Sequence, residues 1–312
     1  MSWQTVVATP CELGESPFWH PHEQRLYWVD ITGQQIHRLQ PDTGVIEHWA
    51  MPSEPGCMAP LQSPPGGLVI ALRDGIYRAL CWGGALQLLA PARHDVALLR
   101  FNDGKADPLG RFWAGTVNER RDAATAQLYS LSACNGSGVA AVLQPQAGGA
   151  TVANGLAWSP DARTLYWADT SSHTLRAWQW DAVHNLLSGE RVVHRWPDKP
   201  RGWLAGAADN PPYAGRPDGA AVDAEGNYYI AMYEGAQVLK LSPSGAVLAS
   251  LPVPAQCPTM PCFGGNDLRT LYVTTARQKR PAAELARFPQ SGGVFAMRVE
   301  VPGLPVNFCQ FP

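Results

Sequence analysis

Charge is scarce in this chain, and several protein classes are excluded by what else is missing. Only 16% of its 312 residues are Asp, Glu, Lys or Arg, and they nearly cancel, leaving a formal net charge of −2. With a pI near 6.4 there is no electrostatic case for a nucleic-acid partner, and none is expected. No stretch approaches the roughly 18 consecutive apolar residues of a membrane helix, so no membrane partner is expected either. The opening MSWQTVVATPCELGES lacks a charged segment followed by an apolar run, which argues against a signal peptide. Cysteines stand at 11, 57, 81, 134, 257, 262 and 309, odd in number and nowhere spaced as CxxC. That pattern excludes a cysteine zinc site and fits reduced thiols in a cytoplasmic protein. A GxSxG nucleophile elbow is absent. Long amphipathic helices are absent too; Ala282–Arg287 would form a turn or two.

What the chain has in quantity is turn residues and aromatics. It holds 30 Gly, 28 Pro and 12 Trp, with 46% hydrophobic residues, ample for a core. A strand that reads aromatic or β-branched and ends in a small residue recurs at 26–29, 68–71, 112–115, 165–168, 228–231 and 271–274. Its second positions (Tyr27, Val69, Trp113, Tyr166, Tyr229, Tyr272) are 42, 44, 53, 63 and 43 residues apart. Such a period, rich in strands, predicts an all-β six-bladed β-propeller, one domain over 1–312. An open ring would leave unpaired strand edges, so the segments 3–8 and 293–299 are expected to pair and close one blade. The longest interval exceeds the period by about 20 residues, an excess placed at 196–216, and loops that long are usually functional or disordered. Trp203 and Tyr213 argue against disorder, and the loop feeds directly into Asp218. The 53-residue interval puts its excess at 118–127.

Each of four copies is led by a polar residue. Glu15 opens ESPFWHPHEQRLYWVD, Asn102 opens NDGKADPLGRFWAGT, Asn154 opens NGLAWSPDARTLYWAD and Asp218 opens DGAAVDAEGNYYIAM. Equivalent positions in repeats occupy equivalent places, so these four should converge on one mouth of the central channel. Their counterparts in blades two and six fall near Cys57-Met58 and Met260. Asn-Gly and Asp-Gly pairs also make turns, but four in register favour a site. Two carboxylates with amide oxygens form a hard oxygen site for one divalent cation. Ca²⁺, Mg²⁺ and Mn²⁺ suit such ligands, and Zn²⁺ or Fe²⁺ also bind carboxylates. Arg100, two residues before Asn102, faces the same mouth on a strand. Its planar donor fork suits hydroxyl and ring oxygens of a small polar ligand, the competing reading being a buried Arg that pairs a neighbouring carboxylate such as Asp103. His20-Pro21-His22 reads as a surface turn, and Trp28, Trp113 and Trp167 as packing between blades.

The motifs LGESPFW, RFNDGKADPLGRFWAGT, NGLAWSPD and RPDGAAVDAEGNYYIA resemble those of the regucalcin/gluconolactonase (senescence marker protein) family. CFGGNDLRTLYVTTAR and SGGVFA look like its bacterial sugar-lactonase branch. The resemblance implies a six-bladed propeller with one catalytic divalent metal in the channel, Ca²⁺ or Zn²⁺ foremost. It also implies hydrolysis of a small-molecule sugar lactone such as glucono-, xylono-, arabinono- or galactonolactone. It assigns Glu15, Asn154 and Asp218 as metal ligands, with Asp218 also the base, and Arg100 and Asn102 as substrate contacts. Glu119 lies near a further substrate-contacting acid, although the segment after Thr116 departs from the family pattern. The 196–216 loop is longer than its counterpart in regucalcin. A bound cation would polarise a lactone carbonyl, and Asp218 would orient and deprotonate water, with water activated by the cation itself as the rival nucleophile. Two other functions compete: a non-catalytic Ca²⁺-binding regulatory propeller and an aryl-lactone or organophosphate hydrolase. Arg100 beside the ring favours a polar small-molecule pocket over the first. The second calls for an aromatic pocket, and only Trp203 and Tyr213 offer one. The sequence sets no oligomeric state.

Overall fold

Short buried strands joined by Gly- and Asp-rich turns assemble into six four-stranded antiparallel sheets around a channel. The computed structural model describes residues 2–64, 66–131 and 141–311. The innermost strands are Gly14–His20, Cys57–Pro60, Leu99–Ala106, Ala153–Trp158, Arg216–Val222 and Pro258–Gly264, taken here as blades one to six. In blades one to five the chain runs outward through four consecutive strands. Blade six is composite: Pro258–Gly264, Thr270–Thr275 and Val294–Arg298 are completed by Gln4–Val7 from the other end of the chain. The ring therefore closes as the unpaired-edge argument requires.

Burial follows position in the blade. The second strands, such as Arg25–Asp30 and Thr164–Asp169, are covered by neighbouring blades on both faces and are almost wholly buried. The outer strands Val45–Ala50 and Val247–Pro252 face solvent along much of their length. Trp28, Trp113 and Trp167 are fully buried. Trp113 and Trp167 share a cluster with Trp158, Trp178 and Trp180 across blades three and four, and Trp28 packs on Cys262, Tyr272 and Ala296 of blade six. These are the expected inter-blade contacts.

The 196–216 segment is ordered by its aromatics. Trp203 meets Tyr213 edge-on at 5.6 Å, and the Tyr213 hydroxyl lies 3.4 Å from His173 Nε2. Asn210 accepts the Leu204 N–H at 2.8 Å and donates back to the Leu204 carbonyl at 2.6 Å. Gly206 abuts Pro281 and Glu284, so the loop rests against the short helix Ala282–Arg287. Two expectations need correction. The excess of blade three does not all lie at 118–127; the connection between Ala126–Leu131 and Leu143–Ala150 holds more of it, mostly outside the described residues. His20 is not on the surface: it ends its strand buried, because Phe308 from the C-terminal tail packs edge-on against it at 5.4 Å. Only His22 of that turn is exposed.

The six cysteines among the described residues are free; Cys134 lies outside them. Among the described residues no helix is long and apolar enough to cross a membrane.

Candidate metal and active centre

The four leading residues hold one register position. Each stands three residues before the inner-strand residue paired with an aromatic of the next strand: Phe18 with Tyr27, Lys105 with Trp113, Ala157 with Tyr166, Ala221 with Tyr229. In all four blades the pairing slips by one residue at the leader. A bulge of this kind bends the strand and re-aims its side chain. Blade six slips at the same place, between Pro258 and Met260. Counting back from the Cys262–Tyr272 pair makes its ring residue Thr259, one short of the expected Met260. Blade two pairs without a slip, and Cys57 stands opposite Ala71 as Glu15 stands opposite Val29 and Asn154 opposite Ala168, so the expected Cys57-Met58 holds the place there. The backbone is left-handed just after two leaders, at Ser16 (φ 49°) and Gly155 (φ 61°). A Cβ on Gly155 would come 2.4 Å from Tyr228 Oη, which donates to the Gly155 carbonyl. Glycine is required there on both counts.

A polar chain runs through the ring. Asn154 Nδ2 donates to Thr170 Oγ1 at 2.7 Å, which leaves Asn154 Oδ1 to accept from Asn102 Nδ2 at 3.0 Å. Asn102 also donates to the Ala153 carbonyl, and its Oδ1 accepts from Arg100 Nη1 at 2.9 Å. Thr259 Oγ1 donates to the Gly14 carbonyl, joining blade six to blade one. Glu119 sits at the rim, its side chain 40% exposed, with its carboxylate 2.9 Å from Arg73 and 3.7 Å from Arg100 Nε. Arg73 also holds Glu54 at 2.8 Å. The structure thus brings Glu119 to Arg100 inside an ion-pair network.

Glu15 and Asp218 are buried, and among the described residues neither forms an ion pair. Burial, followed by the charges of Asp218 and Asp103, holds the Glu15 carboxyl well above the usual carboxylate range. Burial and then Asp103 do the same to Asp218, against a pull downward from Arg216 and Arg121. Two carboxyls that cannot comfortably ionise together, at the register position that also carries an amide oxygen of fixed orientation, are the donor types a hard divalent cation neutralises. Glu15, Asn154 and Asp218 are the residues that fit it. A raised carboxyl stabilises the fold fully below its unfolded pKa, and that contribution is lost as pH rises through the folded value. The metal-free protein should therefore melt at progressively lower temperature as pH rises above the ordinary carboxylate range, and a saturating divalent cation should remove the trend. Thermal scans at rising pH with and without the cation check this.

Two other features lie near the ring without belonging to it. Cys11, Asp30 and His37 place ligand atoms within 4.8 Å of one another. Asp30 is a backbone clamp, accepting the N–H groups of Glu12, Leu13 and Gly33. Asp169 does the same in blade four for Thr151, Val152, Ser171 and Ser172, with Arg176 at the register position of His37. The Cys11 thiol is pushed up to about 12 by burial and by Asp30, so it stays protonated at neutral pH. Past the ring the channel widens into an apolar cavity of about 290 Å³ walled by Trp19, Met58, Trp158 and Phe263 and covered by Leu304 and Val306. None of the four leaders lines it.

Fold and site together define a propeller with an oxygen-ligand centre and a guanidinium at one mouth of its channel. Residues 13–277 match the SMP-30/Gluconolactonase/LRE-like region, and the chain belongs to that family. It is 43% identical over 298 residues to 6-deoxy-6-sulfogluconolactonase of Pseudomonas putida, covering 96% of this chain and 95% of that one. To regucalcin of Danio rerio it is 34% identical over 307 residues, covering 97% and 96%. The structure of a calcium-binding regucalcin of Agrobacterium tumefaciens matches with a TM-score of 0.87 at 26% identity, covering 99% and 97%. The chain is an enzyme of the sugar-lactonase type.

Proposed function

We propose that this protein opens an aldonolactone to its sugar acid, with one divalent cation held by Glu15, Asn154 and Asp218. The observation that carries the reading is the pair of buried, unpaired carboxylates beside the Arg100–Asn102–Asn154 hydrogen-bond chain. When bound, the cation supplies positive charge that polarises the ester carbonyl and offsets the oxyanion of the addition step. Asp218 accepts the proton of the attacking water as its oxygen bonds to the carbonyl carbon. The ring C–O bond then breaks, and the departing alkoxide takes the proton that Asp218 received, becoming a hydroxyl of the acid and returning Asp218 to its carboxylate. Arg100 has Nη1 committed to Asn102 Oδ1 and the Phe101 carbonyl. Its outward donors are left for the hydroxyls or ring oxygen of the substrate. Asn102 holds Asn154 in place through its amide. The resemblance to a 6-deoxy-6-sulfogluconolactonase favours a six-carbon gluconolactone skeleton. Free thiols among the described residues suit a reducing cytoplasm.

Chelation should lower acid release from gluconolactone at least about a hundredfold, and adding back Ca²⁺ or Zn²⁺ should restore it. Elemental analysis verifies that the metal has been stripped. Turnover that persists in verified metal-free protein rules the cation out of the reaction.

A further inference from the structure

We propose that Arg216 is a second substrate-facing guanidinium of this mouth and that it selects lactones carrying a tetrahedral oxyanion, a sulfonate or a phosphate ester, on the carbon farthest from the carbonyl. The proposal rests on the lactonase reading and names its substrate class. Arg216 occupies in blade five the register position that Arg100 occupies in blade three. It pairs with Tyr233 and Arg100 with Val117, each two residues before the leader and one before the last pair ahead of the bulge. The corresponding residues of the other blades are Leu13, Pro55, Val152 and Cys257. Cations therefore stand at this level only in blades three and five, on either side of the blade of Asn154.

The two guanidiniums are engaged differently. Arg100 is turned inward onto Asn102. Arg216 lies over the Tyr233 ring at 5.2 Å with Nη2 3.2 Å from Glu234 Oε2, and its Nε is buried without an acceptor. A buried donor left unpaired is costly, so an acceptor brought by a ligand gains more there than at an exposed donor. Glu234 does not neutralise Arg216 alone. Lys199 Nζ and Arg280 Nη1 each approach the same carboxylate to 2.9 Å, and Arg280 also pairs with Glu284 at 2.6 Å. Three cations thus share two carboxylates, which leaves positive charge in excess beside Asp218. Lys199 belongs to the inserted 196–216 loop and is held over the Trp203 ring at 4.2 Å. The insertion therefore adds a cation to the side of the mouth where Arg216 stands. A planar fork beside an ammonium suits a sulfonate or phosphate better than a hydroxyl.

Kinetics with gluconolactone, its 6-sulfonated analogue and its 6-phosphate, on wild type, Arg216→Gln and Arg216→Lys, test this. Glu234 keeps two cations in either variant, and melting curves confirm the fold. Wild type should favour an anionic lactone over the neutral one by about tenfold or more in kcat/KM. Arg216→Gln should erase about tenfold of that preference, mainly through KM, and Arg216→Lys should return part of it. The KM for the anionic lactone should also rise with salt. Calorimetry with the product acids adds a readout independent of turnover: the sulfonated acid should outbind the neutral one in wild type and not in Arg216→Gln. Whichever anion shows the larger preference identifies the source of the oxyanion. A wild type that prefers the neutral lactone, or a variant that slows all three lactones equally, overturns the assignment. If no lactone is opened at all, the lactonase reading fails, and the calorimetric preference alone then decides the role of Arg216.

Discussion

Asp218→Asn is expected to abolish turnover and loosen the cation in one step. The substitution is nearly isosteric, so its effect comes from the lost charge and the lost proton acceptor. Removing both should lower kcat/KM by about a thousandfold or more. Metal affinity should fall by about tenfold or more, because one of two neutralising carboxylates is gone. A third consequence runs the opposite way. After burial itself, Asp218 is the charge that does most to hold the Glu15 carboxyl up. With it neutral, metal-free Asp218→Asn should melt above metal-free wild type at pH 8, and Glu15 should ionise more readily. Activity and stability moving in opposite directions separates this from ordinary damage, which lowers both. Glu15→Gln is the companion variant. It should weaken the cation but retain the base, so its turnover should recover at high metal concentration while that of Asp218→Asn should not. An Asp218→Asn protein that turns over within tenfold of wild type would remove Asp218 from the chemistry.

The ring of blades was legible because each second strand is buried on both faces, so its apolar run repeats wherever the chain makes a blade. Glu15, Asn102, Asn154 and Asp218 were legible for the converse reason: a polar residue at the head of a buried strand stands out. Thr259 was not. It lies between Pro258 and Met260 and reads as an ordinary strand residue, and only the Cys262–Tyr272 pairing fixes its place. The fate of Asp103 and Lys105 is likewise set by packing. Asp103 is buried and Lys105 half-buried on the same inner strand, where burial pushes the carboxyl up and the amine down, and each partly offsets the other. Glu234, Lys199 and Arg280 come from three separate segments, and no spacing announces that they meet. Arg216 was readable in principle, since it precedes Asp218 as Arg100 precedes Asn102. Its distinguishing feature, a buried Nε with no acceptor, exists only in three dimensions.

Asn154→Asp should tighten the cation and slow the reaction. The amide is oriented by its Nδ2–H bond to Thr170 Oγ1, with Oδ1 meeting Asn102 Nδ2. In the aspartate the Thr170 hydroxyl can turn and donate instead, because a hydroxyl both donates and accepts. Both hydrogen bonds survive and the geometry is kept, so the net change is a third negative charge at the centre. Without metal that charge joins two carboxylates already held above their usual range, Glu15 by burial and the charges of Asp218 and Asp103, Asp218 by burial and the charge of Asp103. Metal-free Asn154→Asp should therefore lose about 3 kcal/mol or more near neutral pH, the scale of an uncompensated buried charge. With the cation the penalty is offset, and affinity should rise by about tenfold or more. Greater ligand charge makes the cation a weaker Lewis acid, so turnover at saturating metal should fall by about tenfold. Metal titration, melting curves with and without metal, and saturated turnover measure the three quantities separately. A lower metal-free melting temperature with no gain in affinity would mean that the new carboxylate is buried but not on the cation. If affinity and turnover both match wild type, Asn154 holds no metal, and its role ends at the hydrogen bonds to Thr170 and Asn102.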